Sequence, residues 1–316
     1  LQRLISHNRM IDTDDYCGYV RLAQWIFPGS IWYLYELTGD TSYLPLAENI
    51  PEAIRPAEHL TWHHDIGFII NCSFGNGLRL APDTASYKDV MVQAAKSLCT
   101  RFRPNAGVIQ SWDVKGISWQ SERGWECPVI IDNMMNLELL FEATKLSGDS
   151  TFHKVAGAHS RTVHSFRSIS VLMEVAISMD YNISDGSVRH KQTAQGYADE
   201  SVWSRGQAWA IYGFTICYRE TKDRKYLDQA LKTFNRMKND PHMPEDLIPY
   251  WDMDAPNIPM NPGRLFRILH RFCLYEISTY DVPDAASYRE YADRIMHSLA
   301  SPDYRRIGTN GAFFNF

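Results

Sequence analysis

The chain has 316 residues, 45% hydrophobic and 22% charged, enough apolar material to bury a large core without disulfides or metals. A formal charge of -5 leaves no basic stripe to neutralise phosphates and argues against a nucleic-acid partner. No apolar run approaches the roughly 20 residues that a membrane helix needs, which argues against a membrane partner as well.

From the N-terminus one pattern recurs five times: YELTGDTSYLPLA (35–47), LAPDTASYKDVMVQAA (80–95), EATKLSGDSTFHKVA (142–156), RETKDRKYLDQAL (219–231) and STYDVPDAASYREYA (278–292). Each predicts the end of an amphipathic helix, a short turn at Asp40, Asp83, Asp149, Asp223 or Asp284, and a second helix rich in Ala and Leu. A helical hairpin of this kind cannot bury its apolar stripe alone, so the pairs must stack. The irregular spacing, with long Gly- and Trp-rich insertions between pairs, favours a closed all-α toroid with its loops at one mouth over an open solenoid. The chain stops at GAFFNF before supplying all of a sixth pair. Short strand hairpins are expected at 108–113 and near 246–254, and no large sheet. No Gly/Ser run, Pro-rich stretch or charge block divides the chain, so residues 1–316 read as a single domain.

Two acids stand out. In WHHDIGFII (62–70), Asp65 opens an apolar helical run, crowded by Trp62, His63 and His64. It reads either as a helix cap or as a site acid with donors and a ring beside it. In CPVIIDNMMNLELLFEA (127–143), Asp132 is expected inside an apolar helix, four residues after a Pro suited to the first turn. Flanked by apolar residues, it is hard to solvate, so its pKa should rise and allow it to hold a proton as a general acid. Asn136, one turn later, is expected to orient it by hydrogen bonding; the alternative is a structural acid tied to a neighbouring helix.

A third segment, KQTAQGYADESVWSRGQAWAIYGF (191–214), brings Gln195, Trp203, Arg205, Gln207 and Trp209 together in a polar, aromatic loop that runs into a helix. An Arg beside Trp suits clamping a carboxylate while a sugar ring stacks alongside; the alternative is a surface salt bridge. Trp112, Trp119, Trp125 and Trp251 also lie in polar surroundings that suit sugar faces, although ordinary half-buried aromatics look the same. The six cysteines are scattered, with no metal-ligand spacing, and are expected to be free thiols. Neither a metal nor a cofactor is expected. The chain does not begin with Met, as it would after removal of a signal peptide, and the compartment is read as cytoplasmic or periplasmic.

The segments HHDIGF, IIDNMMNLELL, the TGD hairpin turn, TAQGYADESVWSRGQAWAIYGF and IPYWDMDAP resemble those of unsaturated glucuronyl hydrolases, glycoside hydrolase family 88. The resemblance runs from about residue 27 to about residue 300. It implies an (α/α)6 barrel with Asp132 as proton donor and water activator, Asp65 as its partner, and His64, Gln195, Trp203, Arg205 and Trp209 at substrate-site positions, Arg205 facing the uronate. The implied substrates are bacterial lyase products that carry a 4,5-unsaturated uronic acid at the non-reducing end, of glycosaminoglycan origin. A pectin-derived substrate of the related unsaturated rhamnogalacturonyl hydrolases is the second reading. A non-catalytic carbohydrate-binding helical protein is the third.

Three windows depart from the family: RLAQWIFPGS (21–30), SFRSISVLMEVAISMDYN (165–182), with Ile177 where a His is expected, and PMNPGRLFRILHRF (259–272). Codons for GRLFRILHRFC, read one base later, can encode the family-like GDSSASSIASA; those for RLAQWI recover family-like text one base later, and those for SISVLMEVA do so read from the third base. We read these windows as frame-shifted translations, with divergence as the alternative. Resequencing the coding DNA should reveal single-base errors flanking them and a His codon near 177. An intact frame that keeps Ile177 and Arg267 refutes this reading.

Overall fold

The computed structural model describes residues 18–81, 85–116, 119–169, 177–256, 273–302 and 304. Residues 170–176, the window 259–272, the turn residue Asp83 and the terminal GAFFNF lie outside the described residues. The helices form hairpins, as the repeat predicts: α1 (Gly18–Thr38) with α2 (Leu44–Ile54), α3 (Ile66–Ile70) and α4 (Asn76–Leu80) with α5 (Ala85–Cys99), then, past the short α6 (Trp119–Glu122), α7 (Asn133–Ser147) with α8 (Ser150–Ile169), and α9 (Ser204–Thr221) with α10 (Arg224–Lys238). A π-helical turn, Asn71–Gly75, joins α3 to α4. A fifth pair consists of helical residues 273–277 and α11 (Ala285–Ala300).

The turn aspartates show why the hairpins close where they do. Asp40 accepts the Ser42 N–H at 2.9 Å and Asp149 accepts that of Thr151 at 2.8 Å, each satisfying a donor at the start of the second helix. Asp223 does the same for Lys225 at 3.3 Å. Asp284 differs: its backbone is left-handed (φ 54°) and its side chain caps nothing. Gly148, at φ 76°, ends α7 in the left-handed conformation that a residue without Cβ adopts at no steric cost.

Successive inner helices α1, α3–α4, α7 and α9 pack against one another, with α2, α5, α8 and α10 behind them. The inner contacts are close. A Cβ on Gly213 of α9 would stand 2.3 Å from Cβ of Met134 on α7, and one on Gly67 of α3 would stand 2.7 Å from Cβ of Asn136. Ile66, Ile69, Ile70, Leu137, Leu140, Trp209 and Phe214 fill the space between them. No helix among the described residues is long and apolar enough to cross a membrane. Cys72, Cys99, Cys127, Cys217 and Cys273 are free thiols.

The strands depart from expectation. Val108 and Ile109 form β2, but pair antiparallel with β1 (Phe102–Arg103) rather than within 108–113. Residues 246–254 form no hairpin; Asp252 makes a single bridge to Trp203. A small antiparallel sheet was not foreseen: β3 (Pro128–Val129), β4 (Ile177–Tyr181) and β5 (Val188–Thr193), in the order β3-β4-β5. Pro128 therefore belongs to a strand, not to a helical first turn. Buried Asp180 ties this sheet down, accepting the Glu126 and Cys127 N–H groups at 2.8 and 2.7 Å and pairing with Arg189 at 2.9 Å.

Gly213→Val should push α7 and α9 apart and lower the unfolding free energy by about 3 kcal/mol, the upper range for overpacking a filled core. Urea denaturation with an unchanged midpoint would show that these helices do not need their close contact.

Candidate active site

Three inner helices begin at the same mouth, and each contributes its N-terminal residues to the site. Asp132 is the N-cap of α7, one position before the helix proper rather than inside it as the apolar pattern suggested. The three preceding apolar residues, Val129 to Ile131, are buried in the approach to the helix and account for the misleading run. The donors of the first turn are already satisfied: the N–H groups of Asn133, Met134 and Met135 reach the carbonyls of Ile130, Ile131 and Asp132 at 3.2, 2.9 and 3.2 Å. The Asp132 side chain makes no capping bond, and its Oδ1 is buried with no hydrogen-bond partner among the described residues.

Burial pushes the Asp132 carboxyl up to about 7. The Arg205 guanidinium opposes this, the charge of Asp65 adds to it, and a hydrogen bond from Trp209 favours the ionised form. A carboxyl in this range is both a credible acid and, once ionised, a credible base near neutral pH.

Asp65 is the N-cap of α3 and likewise makes no capping bond, so the helix-cap reading of this residue does not hold. Its oxygens lie 3.4 Å from His63 Nδ1 and 3.4 Å from His64 Nε2. His63 Nδ1 accepts the backbone N–H of Asp65 at 3.1 Å, and burial lowers its pKa. Burial also pulls His64 down to about 4, so this ring is neutral at physiological pH.

The tautomer of His64 is set by its neighbour. Asn133 Nδ2 donates to the Ile109 carbonyl at 2.6 Å and to Ser111 Oγ at 2.9 Å, which leaves its Oδ1 as acceptor for His64 Nδ1–H at 2.9 Å. The Nε2 lone pair therefore faces Asp65. His63, His64 and Asp65 bring three potential ligand atoms within 4.8 Å of one another.

The third segment folds over the same mouth. Trp203 is the N-cap of α9 and is 6% exposed, with the Arg205 guanidinium 4.4 Å from its ring centroid. Arg205 also donates to Gln195 Oε1. The ring of Trp209, one turn along α9, meets Phe68 of α3 edge-on at 6.3 Å. All seven sequence-predicted site residues thus belong to this mouth: Asp65, His64, Asp132, Gln195, Trp203, Arg205 and Trp209.

Other contributors were missed or misassigned. Trp112 meets His64 edge-on at 6.3 Å and stacks on Trp125 at 6.1 Å. Asp252, fully buried, accepts the Tyr197 N–H at 2.9 Å and the Ser201 hydroxyl at 2.6 Å, and Asp254 takes the Val202 N–H at 2.8 Å. The IPYWDMDAP motif therefore anchors the 195–205 arm. Asn136 does not orient the Asp132 carboxyl: its Nδ2 donates to the Asp132 main-chain carbonyl at 3.3 Å, and its Oδ1 accepts the Phe68 N–H at 2.7 Å. The signal for these roles was the clustering of polar residues at fixed offsets from the two aspartates, but direction across helices is not written in spacing.

No family model matches the chain. It is 40% identical over 291 residues to an unsaturated glucuronyl hydrolase of Formosa agariphila, an alignment that covers 91% of this chain and 70% of that protein. It is 34% identical over 239 residues to the unsaturated glucuronyl hydrolase of Bacillus sp. strain GL1, covering 73% of this chain and 60% of that one. Among solved structures, an unsaturated glucuronyl hydrolase specific for heparin superposes with a TM-score of 0.82 at 34% identity, over 89% of this chain and 73% of the other. The helical toroid is accordingly an (α/α)6 barrel, and the chain belongs to the unsaturated glucuronyl hydrolase family.

Proposed function

We propose that this chain, as one catalytic domain, releases the 4,5-unsaturated uronic acid from the non-reducing end of lyase-generated glycosaminoglycan oligosaccharides by hydrating its vinyl ether. The observation that carries the reading is the Asp132 carboxyl, pushed up to about 7 by burial at the N-terminus of α7, with Arg205 and Asp65 acting on it in opposite directions. The neighbour specific for heparin favours glycosaminoglycan fragments over pectin fragments.

In the first step neutral Asp132 gives its proton to C4 of the C4=C5 double bond. The electron pair of that bond forms the C4–H bond, and the positive charge left at C5 is shared with the ring oxygen. Asp132, now a carboxylate, takes a proton from a water that adds to C5. The acid is thereby regenerated and a hemiketal is formed. As the hemiketal opens, the C5–ring oxygen bond breaks, C5 becomes a carbonyl and its hydroxyl proton passes to the ring oxygen; the resulting hemiacetal at C1 collapses to an aldehyde, its hydroxyl proton going to the glycosidic oxygen as the remaining sugar leaves.

Arg205, bonded to Gln195 and lying over the Trp203 ring, would pair with the uronate carboxylate, with buried Trp209 behind the site. In this reading His64 and Asp65 would lie beside the reacting carbons, with the Asp65 carboxylate near the cation that develops in the transition state.

On unsaturated glycosaminoglycan disaccharides, the ultraviolet absorbance of the unsaturated ring should decay with the wild-type chain, while Asp132→Asn should be slower by at least about 10³-fold, within the range for a lost general acid. An active Asp132→Asn variant, or decay with pectin fragments alone, overturns the assignment.

The pH dependence follows from the same carboxyl. Because Asp132 must begin protonated, kcat/KM should fall as pH rises through about 7. Asp65→Asn removes a charge that raises this pKa and should shift the alkaline limb to lower pH. Arg205→Gln removes a charge that lowers it and should shift the limb upward. A limb that stays in place in both variants would assign it to another group.

Stability should fall with activity as pH rises. A carboxyl raised from 3.8 to about 7 contributes fully at low pH, and that contribution is lost as pH rises through about 7. Asp132→Asn should therefore gain stability relative to wild type between pH 4 and pH 8, by up to about 4 kcal/mol. Equal changes at both pH values in denaturant titrations would count against a raised Asp132.

A further inference from the structure

An aspartate at an N-cap ordinarily turns its carboxylate back onto the N–H of the second or third helical residue. Asp40 and Asp223 do so here, with extended backbones at ψ 107° and 109°. Asp65 occupies the same position on α3 but has ψ -4° and caps nothing. The donor that its carboxylate would take, the N–H of Phe68 at the third helical position, is already engaged. It goes at 2.7 Å to Oδ1 of Asn136, which reaches across from α7.

The orientation of that amide is fixed from its other end. Asn136 Nδ2 donates to the Asp132 carbonyl at 3.3 Å, and a carbonyl can only accept, so the oxygen must face Phe68. Asn136 is fully buried, and no water competes for either bond. Gly67 makes the approach possible: a Cβ there would lie 2.7 Å from Asn136 Cβ and 2.8 Å from Oδ1.

One side chain thus ties the main chain of Asp132 to the first turn of the helix that Asp65 begins. We propose that Asn136 is a positioning residue that caps α3 in place of Asp65, leaving the Asp65 carboxylate with His63 and His64 beside Asp132. This rests on the reading of Asp65 as the partner of Asp132 and names what keeps it available. Without the Asn136 oxygen, the Phe68 N–H is a buried donor with no acceptor, and Asp65, the N-cap three residues before it, is the carboxylate that ordinary capping would bring to it.

The test uses Asn136→Leu, which removes the amide at similar volume, and Asn136→Asp, which as a buried neutral acid can accept from Phe68 and donate to the Asp132 carbonyl. Asn136→Leu should lower kcat about 100-fold with KM within threefold, and Asn136→Asp should recover at least tenfold of the loss. The second readout is thermal. The drop in Tm caused by Asn136→Leu should be larger when Asp65 is also replaced by Ala, because the carboxylate that takes over the cap is then gone.

Full kcat in Asn136→Leu, or Tm changes that simply add, overturns the proposal. Should Asn136→Leu not fold, Asn136→Asp decides alone: near-native Tm and kcat support the proposal, and a loss of kcat at native Tm overturns it. The Tm cycle needs no substrate. A chain inactive on every unsaturated sugar but with non-additive Tm changes would therefore refute the functional reading and leave the capping assignment standing.

Discussion

The site depends on three helix N-termini meeting at one mouth, two of them headed by aspartates whose carboxylates do not cap their own helices. Asp65 begins α3, Asp132 begins α7 and Trp203 begins α9. A helix N-terminus favours a nearby anion by roughly 0.3 to 1 kcal/mol, at most about 2. For Asp132 this is outweighed, since a rise to about 7 corresponds to about 4 kcal/mol against the charged form. Burial wins over the dipole, over Arg205 and over the Trp209 bond together. The carboxyl becomes an acid because it is kept from bulk water and is not consumed by its own helix.

Holding that balance requires the three helices not to drift. Glycines at 67 and 213 let α3 and α9 lie against α7 at backbone distance, so Asn136 can reach Phe68 and Met134 can seat against α9. The arm that carries Gln195 and Trp203 is fixed differently, through main-chain bonds to buried Asp252 and to Asp254. Asn133, bonded to the Ile109 carbonyl and to Ser111, sets the His64 ring. Each residue at the mouth is thus held by one behind it.

Much of this was legible in the sequence. The hairpin turns could be read because Asp at 40, 149 and 223 performs a local task, bonding an N–H two residues on, which spacing along the chain reveals. Asp132 could be recognised as an acid because its apolar flanks forbid solvation, although the same flanks hid its true place at the N-cap. Asn136 was placed on the correct face but given the wrong partner, since a helix period fixes which side a residue takes and not which atom of the neighbouring helix awaits it. The β3-β4-β5 sheet left little trace, because β3 is two residues long and pairs with a strand some fifty positions away. Likewise Asp252 joins a residue at 201, a contact that only closure of the ring creates.

The contrast among the aspartates carries the argument further. Asp40, Asp223, Asp65 and Asp132 all stand at the head of a helix, and composition does not separate them. Backbone conformation does: the first two are extended and bond their own helices, while the latter two have ψ of -4° and -26° and do not. At Asp132 the preceding turn supplies carbonyls for the first-turn donors, and at Asp65 a neighbouring helix supplies an amide oxygen. A helix cap is worth about 1 kcal/mol and is easily filled by another group. A carboxyl poised near neutral pH inside a ring of helices has no such substitute. The fold therefore assigns the cheaper task to asparagine and main chain, and leaves both carboxyls unspent at the mouth.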